Sequence, residues 1–389
     1  MKIIKTILSI GMIAFLLYLF TFYMEGKMGI ILIAFMIIPP IVSLFFALYA
    51  RNRVTLTFSS DAYVNKGKEL EVTVRLEKNE AFPLAIVEFP VLGSAVFSGG
   101  GKRCRLSIFS DEPVEYRCRL KAEYGGNGEV SIGEIRSCGF LGFMSFRVKT
   151  VHPEPISVGV IPDIPEINAS TQLFRSISDI VLTSDEDEEN DTTMLFSANT
   201  SPGYEHREYV QGDPLKRVNW KLSSKKSKLM VRLDEAASTV QPLIVLDLYR
   251  RSSLDELLAI KREETTLRSV FGLLSLMVRQ GIACTFLYRN QSGEVVCESV
   301  DNPDYPVQLL LRVLAAKVRT DSRISLSGYE SSACACVVAT TETSGDFSDI
   351  SDKITDKEAA SIIVPEADQG VSVGIPMWYL DIDNNFRMV

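Results

Sequence analysis

The sequence predicts a multidomain chain. It reads as an N-terminal transmembrane helical hairpin, then an all-β sandwich of immunoglobulin or fibronectin type, then an α/β domain with a mainly parallel sheet. Three observations carry this. Two long apolar runs, residues 3–23 and 28–50, open the chain. Residues 54–161 alternate apolar and polar positions with period two. From Leu243 onward, compact apolar strands alternate with helical patterns. The implied boundaries are 1–50 for the hairpin, 54–161 for the sandwich, 162–202 for an extended linker with an acidic loop, and 203–389 for the α/β part.

Each opening run is long enough, as a helix, to cross a hydrocarbon core of about 30 Å. Residues 28–50 carry no charge, and Pro39-Pro40 predicts a kink. The connection around Met24 to Lys27 allows only a tight hairpin. Lys2 and Lys5 lie at the start of the first run, and Arg51 and Arg53 follow the second. The positive-inside rule then places the protein in the cell membrane with both termini and the soluble domains cytoplasmic.

Within 54–161, VTLTFSS, ELEVTVRLE, YRCRLKAEY and EVSIGEIRS read as strands. Asn65-Lys66-Gly67, Gly99-Gly100-Gly101 and Gly125-Gly126-Asn127-Gly128 read as the turns between them. No polar constellation here has catalytic spacing, so this region reads as a spacer or binding module. The seven cysteines form no C-x-x-C pair, which argues against a zinc site and suits a reducing compartment. Cys334 and Cys336 read as one face of a buried strand. The pI near 5.1 argues against a nucleic-acid-binding protein.

The linker holds six acids in seven positions over residues 185–191, which reads as a self-repelling solvated loop or an internal partner for cations. Beyond it, LIVLDL ends in Asp247 at the carboxyl end of a predicted strand, where ligands of α/β sheets bind. Helical patterns follow over 254–280, 306–318 and 347–358. IACTFLY, ACACVVAT and SIIVP supply further strands.

Residues 206–235 are the densest in cations, with six Lys or Arg from Lys216 to Lys228. Gly212-Asp213-Pro214 predicts a helix start, with Asp213 as cap and Pro214 in the first turn. The string G-Y-E-H-R-E-Y-V-Q-G-D-P-L-K-R-V-N-W-K-L-S-S-K resembles the signature of the bacterial domain of unknown function 58 family. Arg207, Tyr209, Gly212, Asp213, Arg217, Trp220 and Ser223 match that signature by position. Ser224 and Lys225 depart from its usual Ala and Arg. Cys138-Gly139-Phe140-Leu141-Gly142 resembles the family's D-P-F-G-L segment, with Cys in place of the acid. The resemblance implies a von Willebrand factor A-like α/β domain. It also implies a MoxR-type AAA+ ATPase and a transglutaminase-like membrane protein as partners, and an adaptor or assembly role without catalysis.

The cations then read as two sets. Arg207 or Arg217, pairing with Asp213 or Asp234 while Trp220 packs, forms an internal brace. Lys221, Lys225, Lys226 and Lys228 face outward as a docking surface for an acidic partner. The chain lacks a Gly-rich phosphate loop, a nucleophile elbow and an H-E-x-x-H motif, so no catalytic residue and no cofactor are assigned. A von Willebrand A-like metal site would need D-x-S-x-S, and Asp247-Leu248-Tyr249-Arg250-Arg251 keeps only the acid. Thr340, Thr341 and Glu342 offer oxygens near another strand end, but the site reads as degenerate and metal-free. The function expected is thus a membrane-anchored cytoplasmic adaptor. The rival readings are a hydrolase or nuclease, and an extracytoplasmic cell-envelope binding protein.

Overall fold

The computed structural model describes residues 2–23, 27–78, 85–109, 112–142, 144–149, 153–191, 200–209, 218–236, 241–250, 254–290, 292–316, 322–324, 326, 333–343, 357–367 and 374–389. Among these, twenty strands form four sheets beside six helices. The chain divides into two compact units. The first is Met1–Asp163 with Asp255–Glu264 and Leu314–Lys317. The second is Ile164–Leu254, Thr265–Val313 and Val318–Val389.

The first unit begins with helices α1 (Lys2–Tyr23) and α2 (Lys27–Ala50), which pack on each other. A two-sheet sandwich follows. One sheet has the order β1-β3-β7-β5, from β1 (Val54–Ser60), β3 (Glu69–Lys78), β5 (Phe97–Ser98) and β7 (Val114–Ala122). The other has the order β10-β9-β4-β8-β11-β2, with β6 joined to β4. Its strands are β2 (Tyr63–Asn65), β4 (Ala85–Gly93), β6 (Arg103–Ile108), β8 (Gly126–Ile132), β9 (Arg136–Cys138), β10 (Ser145–Arg147) and β11 (Ile156–Ile161). The period-two pattern explains the core: Leu70, Val72, Val74 and Leu76 of β3 all face in, against Val87 and Phe89 of β4 and Val130 of β8. Of the glycine run at 125–128, expected as a turn, Gly125 lies in the bend before β8 and Gly126 to Gly128 open the strand. Gly128 lies under the Phe97 ring, where any side chain would collide with it.

The transmembrane hairpin is not carried by this structure. Among the described residues, no helix is long and apolar enough to cross a membrane. The reason is plain in α2, whose last two turns pack on the sandwich. Ser43, Ala47 and Ala50 are buried, and Ser137 Oγ donates to the Ala47 carbonyl at 3.0 Å. The Leu141 amide donates to Ser43 Oγ at 3.2 Å, and Phe46 meets Phe140 edge-on at 6.3 Å. Gly139 sits against Ser43 with no room for a side chain. The placement in the cell membrane with cytoplasmic termini rested on that hairpin and is withdrawn with it. The turn at 24–26 lies outside the described residues.

In the second unit, α3 (Gln172–Asp191) runs straight through the acidic run, which was expected as a loop within an extended linker. Leu173, Phe174 and Ile177 are buried and anchor its first turns, and the glutamates that follow are good helix formers. A two-stranded ladder, β12 (Thr200–Glu208) with β13 (Met230–Ala236), flanks α4 (Trp220–Lys226). The last sheet has the order β16-β15-β14-β17-β18-β19-β20. Its strands are β14 (Leu243–Asp247), β15 (Cys284–Arg289), β16 (Val295–Val300), β17 (Cys336–Thr340), β18 (Ala360–Val364), β19 (Met377–Leu380) and β20 (Phe386–Met388). The five inner strands run parallel, and β16 and β20 are antiparallel on the two edges.

The expected von Willebrand A-like α/β domain therefore gives way to a mixed sheet in a β-rich chain. Among the described residues, only α5 (Glu256–Arg279) and α6 (Tyr305–Ala315) link its strands, after β14 and after β16. The helix expected at 347–358 falls mostly outside the described residues. Cys334 precedes β17 rather than sharing its face.

Candidate functional site

Two places gather the residues singled out by sequence. The first is the signature segment. Arg207 lies on β12 opposite Val231, and Val218 bridges to Val231. The Tyr209 amide donates to the Leu229 carbonyl at 2.8 Å, and the Asn219 amide to the Met230 carbonyl at 2.9 Å. Helix α4 is capped at Asn219, whose side chain accepts the Leu222 amide at 3.1 Å. Val218 is held in the ladder, so a helix cannot run through it. Gly212, Asp213, Pro214 and Arg217 lie outside the described residues.

Ser223 ties this helix to the ladder. It is buried, its Oγ donates to the Asn219 carbonyl at 2.7 Å, and the Met230 amide donates to that Oγ at 2.8 Å. Trp220 does the opposite of what a brace requires: its side chain is 64% exposed at the first position of the helix. Lys221, Lys225, Lys226 and Lys228 are also exposed, as is Leu229. Ser223→Ala is expected to cost about 1–3 kcal/mol, because the buried Met230 N–H loses its acceptor. Chemical denaturation of the variant measures this.

The second place is the carboxyl end of the parallel strands. Asp247 is only 4% exposed and registers against Thr340 of β17. Its Oδ1 accepts the Ile324 amide at 3.2 Å. Arg289, at the end of β15, reaches across to Ser322, donating to its carbonyl at 2.9 Å and to its hydroxyl at 3.0 Å, and also bonds the Arg323 carbonyl. The Arg323 guanidinium pairs with Glu342 and lies 5.5 Å from the Tyr249 ring centre. Thr341 bonds the Tyr249 carbonyl. Two carboxylates and two guanidiniums thus close a formally neutral, buried cluster.

Burial pushes the Asp247 carboxyl up to about 6, and Glu342 adds to this. The Ile324 amide, Arg323 and Arg289 pull it down without offsetting the loss of water. Arg323 and Arg289 thus bring positive charge to the acid. Arg251, Ser252 and Ser253 lie outside the described residues. Among the described residues, no three His, Cys, Asp or Glu side chains stand together as a metal-holding group. The cluster's carboxylates face guanidiniums, so this oxygen set does not suit a divalent ion. Arg289 was legible in part: it is an ionisable residue ending an otherwise apolar strand. Arg323 carried no such signal.

No protein-family model and no curated protein matches the chain. Solved structures give partial likenesses. The CARDB domain of a Pyrococcus furiosus protein, in complex with di-metal ions, is 12% identical over 28% of this chain and 87% of its own, with a TM-score of 0.20. A cohesin module from a Clostridium perfringens family 33 glycoside hydrolase is 11% identical over 29% and 99%, with a TM-score of 0.23. The PKD domain of an M14-like peptidase from a Thermoplasmatales archaeon is 9% identical over 27% and 92%, with a TM-score of 0.19. Likenesses of this size carry no argument about function.

Proposed function

We propose that this protein is a non-catalytic adaptor or assembly factor of the domain of unknown function 58 type, working with a MoxR-type AAA+ ATPase. A transglutaminase-like protein belongs to the same proposed assembly. One observation supports the reading most directly. An exposed tryptophan, Trp220, stands with exposed Lys221, Lys225 and Lys226 on a helix held by Asn219 and Ser223, with exposed Lys228 just beyond its end. Exposed Trp is a frequent anchor of protein interfaces, and surrounding cations steer an acidic partner. The buried cluster at Asp247 has its charges turned on each other, which suits a structural part better than a catalytic one.

The test is association with the MoxR-type ATPase of the same genome. Trp220→Ala is expected to weaken binding about 30-fold or more. It should shift folding stability by no more than about 0.5 kcal/mol, as an exposed position. Replacing the four lysines by serine should slow association about tenfold at low salt and flatten its salt dependence. Parent-like binding by both variants would move the docking face elsewhere; no association at all would remove the ATPase as partner.

A further inference from the structure

The second unit holds a cleft that the adaptor reading leaves unused. Its volume is about 190 Å³, and all its walls belong to that unit. The proline-broken segment 164–167 forms one wall, and helices α5 and α6 form the others. Gly272 lets the segment lie close to α5: a β-carbon there would sit 2.7 Å from the Ile167 δ-carbon and 3.2 Å from the Pro165 ring. Ser275, Leu276 and Arg279 follow Gly272 on the same helix face, at i+3, i+4 and i+7. Helix α6 adds Pro306, Val307 and Leu310.

The lining is mostly apolar. Phe271, Leu276 and Leu310 are buried, while Val307 leaves 63% of its surface to water. Two opposite charges line the same cleft. Arg279 Nη1 lies 3.5 Å from Glu166 Oε1, with the two side chains 56% and 85% exposed. An ion pair so open to water adds little to folding, and both groups stay accessible to a ligand. An apolar wall with a few convergent polar groups is the usual make-up of a small-molecule site.

We infer that this cleft binds a free α-amino acid with a large apolar side chain, of the leucine or phenylalanine class. The ligand carboxylate meets Arg279, its ammonium meets Glu166, and its side chain fills the apolar space. The two ligand charges leave one carbon, so they stand side by side as Arg279 and Glu166 do. An apolar cavity of about 150 Å³ already takes up benzene, so this one holds a side chain of that size. A peptide terminus carries only one of the two charges at its end residue, and an apolar acid carries only the carboxylate. Neither complements both wall charges.

The test is equilibrium dialysis of the full chain against radiolabelled L-leucine. One saturable site with a Kd of about 0.1–1 mM is expected for a ligand of this size held by two water-exposed ion pairs. N-acetyl-leucine and leucine amide, each lacking one charge, should bind about tenfold more weakly. Glu166→Gln should weaken leucine about tenfold and N-acetyl-leucine not at all, since the acetyl compound has no ammonium to lose. Arg279→Gln should weaken leucine in the same way and spare leucine amide. Both substitutions are at exposed positions, so the fold is kept. Ser275→Leu, which fills the cleft, should abolish uptake; if that variant fails to fold, the two charge variants decide. No saturable uptake of leucine or phenylalanine at about 10 mM would overturn the site. So would leucine binding that both charge variants leave unchanged, or N-acetyl-leucine binding as tight as leucine.

Discussion

Replacing Glu342 by alanine is expected to cost about 3–5 kcal/mol of folding stability, the usual penalty for breaking a buried ion pair from one side. Glu342 and Arg323 are 6% and 15% exposed at their side chains. Removing the carboxylate leaves two guanidiniums, Arg323 and Arg289, beside a single acid, Asp247, with little water to screen them. Urea denaturation of the full chain measures the loss. The double variant Glu342→Ala with Arg323→Met should recover part of it, because the stranded charge is gone and an apolar side chain fills the space. A loss below about 1 kcal/mol for the single variant, the size typical of exposed pairs, would show that the cluster is wet.

The second large effect is a pH dependence at Asp247. Its carboxyl sits at about 6 in the folded chain against its ordinary value of 3.8. The folded state therefore holds this proton more tightly than the unfolded state between those values. Stability from this group is fully present below pH 3.8 and is lost as pH rises through 6. The difference amounts to about 3 kcal/mol. Arg289 from β15, Arg323 and the Ile324 amide from the crossing segment, and Glu342 beyond β17 all face this carboxyl, and burial outweighs their net pull. Asp247→Asn keeps an acceptor for the Ile324 amide and removes the titration. Its stability should be nearly flat over pH 4–6 once the shared background of other carboxyls is subtracted. An unchanged slope in the variant would place the pH dependence on other groups.

Both effects come from a place the sequence only half revealed. Asp247 was legible because it ends a fully apolar strand, and such ends collect ligands and charges in parallel sheets. Thr340, Thr341 and Glu342 were legible for the same reason. Arg323 was not, because it sits in an irregular segment 77 residues downstream of Asp247, counted to Ile324. Its pairing depends on how the chain crosses the sheet, which no local pattern encodes. Trp220 shows the reverse error. The brace reading packed Trp220 against a neighbouring segment, yet it opens the short helix α4 with its side chain 64% exposed.

The sequence by itself determined the alternation that lines the sandwich core, the apolar strands of the last sheet and the helical runs of α5 and α6. Each depends on side chains repeating at the local period of one element, 2 or 3.6 residues. Tertiary structure decided the rest. It seated the end of α2 on the Gly139 loop, where a glycine lets a serine approach. It set antiparallel strands on both edges of the last sheet, where short strands with exposed faces carry weak patterns. It also drew α3 through six acids that repel one another, because Leu173, Phe174 and Ile177 bury their side chains at its start. Those outcomes rest on contacts between residues distant in the chain, whose free energies no single stretch of sequence contains.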